Sequence, residues 1–373
     1  MPGMDLTIAG SQATGRARRG VQVVRTPAEL DRLEYAWERM AADRNPVTDF
    51  AYARAWAAGF DGAQRLSVLA AGGPETLAIA PLVINRGAAG WLTLLAAEMY
   101  EIMDFPHADE IAVSELARAI VRTGRPLELK RVPADAPVAA AIEAAYRGRG
   151  VVRRQSVGGS PWIPLDESWN EPEMRLEAGR RSDLRRARRH AEKMGAAEAA
   201  IVTPTRAQLP QLLDEAFQIE AAGWKGAQGT ALAADPLRGA FFRRYAEMAC
   251  AKGILRMCVL RIGGQPAAAQ IAIESASRFD LLRAGYDERF SRCSPGMLLT
   301  AETIRYAARR GLRSYEFNGN VEPWTEVWTR HDHACCALRA YPFSPRGACA
   351  LVADGRRMAL RKLRRSSNPG IRA

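Results

Sequence analysis

Apolar residues recur along this chain at helical and at strand spacing in turn. Leu30, Leu33, Trp37 and Met40 share one face of a helix predicted over 28–42, after a strand at 21–25. A second helix is predicted over 50–60. Strands follow over 66–71 and 77–85, joined at the turn residues Gly72-Gly73-Pro74. Asp104-Phe105-Pro106 marks a loop, 111–123 a helix, 127–131 a strand and 136–146 another helix. Ser160 to Leu165 reads as an extended connector between two halves. Beyond it, Leu184, Ala187, Ala191 and Met194 form a stripe on a helix over 180–194. A strand at 199–203, a helix at 207–222, a Trp224-Lys225 loop and a helix at 237–252 come next. Strands over 254–262 and 266–274 flank Gly263-Gly264 and mirror the strand pair of the first half, which hints at a duplicated unit.

The stretch from Leu281 to Trp328 is the most informative. A strand over 279–286 is followed by Ser294-Pro295-Gly296, a helix-start signal with a serine at the N-cap and proline in the first turn. Met297, Leu298, Ala301, Ile304 and Ala308 continue at helical spacing, and Gly311 ends the helix before a strand over 312–317. A helix that opens at the end of a strand offers backbone N–H groups and a positive dipole end, which suits a phosphate.

A chain of 373 residues with 48% hydrophobic content fits a globular protein of two domains. No apolar run approaches the length of a membrane span, and the N-terminus carries no signal-peptide pattern. The six cysteines form no secreted disulfide pattern, so reduced thiols and a cytoplasmic location are expected. The formal charge of +12 is concentrated. Residues 175–193 hold eight Arg or Lys against three acids, residues 356–373 seven against none, and Arg16, Arg18 and Arg19 add three more. The body is near neutral, which argues for local anion sites over a surface that coats nucleic acid.

The run YDERFSRCSPGMLL, followed by YEFNGNVEPWTEVW, resembles the signature of GNAT-type acyltransferases, and within them the CelD or BioF2-like branch. Gly179 to Arg186, Ala222 to Gly226, Asn45 to Phe50 and Ile79 to Ile84 extend the likeness over roughly residues 21–345. In the family's Glu-Pro-Tyr-Lys-x-x-Trp loop this chain has Trp324 and Thr325 in place of the tyrosine and lysine. The resemblance implies an α/β fold of two tandem GNAT-like domains, each a mixed twisted sheet flanked by helices. Their expected bounds are 21–165 and 166–345, between a disordered segment 1–20 and a basic amphipathic tail 346–373.

The implied reaction moves an acetyl or longer acyl group from acyl-CoA to an amine, on a sugar or exopolysaccharide precursor. Arg292, Ser294, Gly296, Met297 and Leu298 would bind the donor's pyrophosphate, although the common GNAT glycine loop is altered here and Pro295 removes one amide. Glu316 is the leading general base, with Asp287 as a second candidate and Tyr286 as proton donor to the leaving thiolate. Trp224, Lys225, Asn318, Asn320 and Trp324 are the acceptor-binding candidates, each with an ordinary packing or turn role as the alternative. His331, His333 and Cys335 alternate onto one strand face, but no second cluster accompanies them and no metal is expected.

The helix over 180–194 is either a solvated amphipathic helix or a surface for donor phosphates, a nucleotide-sugar or tRNA. The tail is either core-docked or a contact for an anionic inner-membrane surface or a nucleotide. Two other readings stand beside the first: a FemABX-like transferase that uses aminoacyl-tRNA, and a non-catalytic GNAT-like regulator.

Overall fold

The computed structural model describes residues 20–41, 44–59, 64–72, 75–99, 101–223, 229, 231–275 and 277–366. Trp224, Lys225, residues 1–19 of the segment 1–20 expected to be disordered, and the tail end 367–373 lie outside the described residues, whereas Gly20 belongs to the first strand.

Strand β1 (Gly20–Val24) leads into α1 (Pro27–Asp31) and α2 (Glu34–Ala41). The single predicted helix is thus two. Thr26 and Glu29 close a capping box on α1, and Arg32 ends it. Leu30, Leu33, Trp37 and Met40 are all buried, so the break leaves their stripe on the core. Asp49 accepts from the Tyr52 amide (2.7 Å) in the first turn of α3 (Phe50–Gly59).

The predicted hairpin is also divided, into β2 (Gln64–Leu66), β3 (Val68–Gly72), β4 (Thr76–Ala80) and β5 (Leu82–Asn85). Its near half pairs β3 with β4 and β1, while its far half pairs β2 with β5 in another sheet. The change of sheet falls at Ser67 and at Pro81, which has no N–H to give to a ladder. The first half continues through β6 (Leu92–Leu94), α4 (Glu110–Arg122), β7 (Leu127–Pro133), α5 (Pro137–Tyr146) and β8 (Gly150–Pro164).

The second half opens with α6 (Pro172–Arg175), α7 (Ala178–Met194), β9 (Ala197–Val202), α8 (Leu209–Ala221) and α9 (Pro236–Ala251). It continues with β10 (Leu255–Ile262), β11 (Gln265–Ser275), β12 (Arg278–Tyr286), α10 (Pro295–Arg309), β13 (Ser314–Glu316), β14 (Asp332–Pro342) and α11 (Pro345–Ser366). Gly263 and Gly264 take φ of +57° and +78°, the left-handed pair that a tight β10–β11 hairpin requires.

One sheet runs through both halves in the order β2-β5-β6-β7-β14-β8-β13-β12-β11-β10-β9. The reason is β8, which takes in the expected connector as far as Pro164. Its residues Gly150–Pro161 pair with β14, and Trp162–Pro164 pair with β13. Strand β14 also pairs with β7 of the first half. Packing joins the halves again, because Tyr52 of α3 meets Phe241 (4.9 Å) and Tyr245 (5.1 Å) of α9 edge-on.

On α7, Leu184, Ala187 and Ala191 are buried as predicted, whereas Met194 is exposed. Helix α11 docks through buried Asp354, which accepts from Arg339 and from the Tyr341 hydroxyl at 2.6 Å each. Its Leu351, Val352, Met358 and Leu360 face outward. Among the described residues no helix is long and apolar enough to cross a membrane.

Candidate active site

Strands β12 and β13 run parallel and pair only at Arg278–Ser314, Phe279–Tyr315 and Asp280–Glu316. Past that point β12 continues to Tyr286, while the chain after Glu316 turns away through Asn318 and Gly319, both at left-handed φ of +55° and +56°. The strands therefore part like a fork. Asn318, itself buried, ties the prongs with a long bond from its Nδ2 to the Leu281 carbonyl (3.4 Å) and accepts from Asn45 of the first half (3.3 Å).

A buried charge cluster sits at the apex. The Arg278 guanidinium lies between Asp280 (2.8 Å) and Glu316 (3.3 Å). Glu316 is 2% exposed, and its second oxygen meets His333 Nε2 at 2.9 Å. Burial pushes the Glu316 carboxyl up, but the hydrogen bond from His333 and the charge of Arg278 outweigh it and leave the pKa below the ordinary value. Burial wins at Asp280, which is raised to about 6 despite Arg278. An ionised carboxylate only accepts, so His333 donates its Nε2–H to Glu316. The imidazole is about two-fifths exposed and stacks on Trp162 (centroids 4.9 Å apart, 14° between planes). Two sides of the ring are therefore fixed, by Trp162 and by Glu316.

The other end of β12 meets the start of α10. Ser294 occupies the N-cap in a left-handed conformation (φ +44°), and its side chain makes no capping bond. Its carbonyl instead accepts from the Met297 and Leu298 amides (3.0 and 3.2 Å). The predicted cradle of amides is narrowed to Gly296, since Pro295 has none. Leu298 is buried in the core and Met297 packs against it. The exposed Arg292 has no acidic partner among the described residues. Helix α7 packs against the 288–293 turn and lies antiparallel to α10: Met194 meets Cys293 (3.5 Å), and Arg188 reaches Glu302 (3.1 Å). Arg189 and Lys193 lie on the exposed face of α7.

Tyr286 stands beside Gly296, and burial and Glu288 raise its pKa. Tyr286 lies six residue steps, about 20 Å at the rise of an extended chain, from Asp280 at the apex. Asp287 caps the 288–293 turn and is ion-paired to Arg289 (2.6 Å), whose hydrogen bond holds its carboxyl below the usual range. The structure thus groups Glu316 with Asn318 and sets Tyr286 and Asp287 with the helix start. Asn320 is exposed beside Gly158, and Trp324 donates its Nε1–H to Glu322 (2.8 Å).

His333 is a functional candidate that sequence reasoning weighed only for metal binding and set aside. A bulge between His333 and Cys335 breaks the alternation on which that reading rested. Among the described residues no group of three His, Cys, Asp or Glu side chains is placed to hold a metal ion.

Residues 178–326 match a family model described as an acetyltransferase (GNAT) domain. No curated protein matches the chain in sequence. Among solved structures, a lysylphosphatidylglycerol synthetase C-terminal domain from Agrobacterium fabrum is similar at 11% identity, covering 88% of this chain and 96% of that one, with a TM-score of 0.55. FemX is similar at 11% identity, covering 87% and 97%, with a TM-score of 0.52. L-PGS from Bacillus licheniformis is similar at 11% identity, covering 83% and 91%, with a TM-score of 0.51. At these identities the likeness carries the fold alone: a mixed α/β architecture of large twisted sheets flanked by helices.

Proposed function

We propose that the chain, whose second half has the GNAT domain of acyltransferases, uses acyl-CoA to acylate an amine at the β12/β13 fork. The carrying observation is the Glu316–His333 pair at the apex of that fork. In this reading the acceptor amine attacks the thioester carbonyl, a C–N bond forms and the C–S bond breaks. His333 Nδ1 takes the proton the amine loses, and CoA leaves as a thiolate to be protonated in turn. Glu316, buried and ionised, holds the imidazole in the accepting tautomer. The donor's phosphates would meet the Gly296 amide and the exposed Arg292 at the positive end of α10. Asn318, Asn320 and Trp324 remain the acceptor-side candidates, and the CelD-like resemblance points to a sugar or polysaccharide-precursor amine.

Thermal unfolding with acetyl-CoA, longer acyl-CoAs and CoA is the first test. Ligand at 100 times its dissociation constant adds about 2.7 kcal/mol. A clear shift is expected in the wild type and not in Gly296→Asp, whose carboxylate suits the helix dipole and so spares the fold but repels a phosphate. In a thiol-release assay, Glu316→Gln and His333→Ala should each lower kcat about 100-fold or more with little change in the KM for acyl-CoA. Unchanged kcat in both variants would sink the proton-transfer assignment.

The exposed arginines of α7 favour one rival, a donor of aminoacyl-tRNA held at the same fork. It predicts no shift with any thioester, and tRNA binding that falls steeply with salt.

A further inference from the structure

The first half contains a cleft of about 500 Å³ that the proposed reaction does not use. It lies between the three-stranded sheet and the β2–β5 edge of the long sheet, far from the fork along the sheet order. Four arginines from four distant segments line it: Arg25 after β1, Arg65 on β2, Arg125 before β7 and Arg346 at the start of α11. No acidic residue is among its described lining residues, and Arg65, Arg125 and Arg346 have no ion pair among the described residues. Arg125 is held in place. Its Nη1 donates to the Gly90 carbonyl (3.2 Å), and a Cβ on Gly90 would lie 2.2 Å from that nitrogen. Burial, and then the charges of Arg346 and Arg65, push the Arg125 pKa down, so each of those two guanidiniums is near enough to repel Arg125.

Like charges gathered in a concave site cost free energy unless an anion fills it. Guanidiniums match phosphate oxygens two at a time, and several converge here, whereas one carboxylate would answer only one of them. The walls beside them are apolar, from Leu66, Leu69, Val83 and Ile84. The volume suits a ligand of nucleotide size.

We propose that this cleft binds a phosphorylated small molecule with two or more negative charges, at a site separate from the acyl-transfer fork. The inference does not depend on the acyltransferase reading.

Calorimetric titration of the full chain with inorganic pyrophosphate and with ADP tests it. Saturable binding is expected. Arg65→Gln combined with Arg346→Gln, two exposed side chains without ion pairs among the described residues, should weaken it at least tenfold with the unfolding temperature unchanged. Arg65→Lys should recover part of the loss that Arg65→Gln alone causes, and Gly296→Asp, which blocks the donor-phosphate site, should keep one saturable site that the two arginine changes then weaken. Absence of binding at millimolar ligand in folded wild type overturns the proposal. So does a double variant that binds within twofold of wild type, or loss of binding in Gly296→Asp, which would move the anion to the α10 start.

Discussion

At the scale of single residues, the apex of the fork holds two carboxylates around one guanidinium, and the two respond to pH in opposite senses. Asp280 is fully buried and its pKa is raised to about 6, so folding favours its protonated form. The stability this gives is complete below the unfolded value near 3.8 and is lost as pH rises through about 6. Glu316 is held low, so its contribution is present above its unfolded value and is lost only as pH falls through the depressed one. Asp280→Asn should therefore gain stability over wild type between pH 4 and 7. A shift of about two units corresponds to at most about 3 kcal/mol. Urea midpoints at pH 4, 5, 6 and 7 measure it, and a difference that does not grow with pH would contradict the assignment. The carboxylate at Glu316 was legible in the sequence, on a strand after the helix. Its partner was not, since His333 lies 17 residues on and two strands away across β8, a neighbour set by sheet order.

At the scale of elements, the periodic helices were readable because their stripes are local: Leu184, Ala187 and Ala191 of α7 are buried where the spacing puts them. The division of the hairpin at Ser67 and Pro81 was not, because it depends on which distant strand each half meets. The cap at Ser294 was placed correctly and given the wrong chemistry: the serine contributes its carbonyl and a left-handed turn, and its hydroxyl makes no cap bond. Helix α8 is pressed onto β12 at one point, where a Cβ on Gly285 would lie 2.8 Å from the Glu220 Cα. Neither backbone can yield cheaply, and Glu220 is also fixed by Arg283 (2.7 Å) and the Leu232 amide (2.8 Å). Gly285→Ala should cost about 1–3 kcal/mol and lower the melting temperature by several degrees. A melting temperature equal to wild type would show that the two elements are not in this contact.

At the scale of the whole molecule, the strand order interleaves what the chain order separates. Strand β14 comes from the end of the second half, yet it sits between β7 and β8. A fragment of residues 166–373 would leave β13 without β8 and β14 without either neighbour, exposing two sheet edges. It should be aggregated or unfolded by circular dichroism and gel filtration, whereas the whole chain should unfold in one transition in urea. A soluble, folded fragment would contradict this. The same interleaving bears on ancestry and on engineering. The two units cannot be exchanged like beads, because a recombined gene would have to bring residues 150–164 and 332–342 from one parent. A chimera joined at a single point in the linker after Pro164 would inherit a mismatched seam through the middle of its sheet.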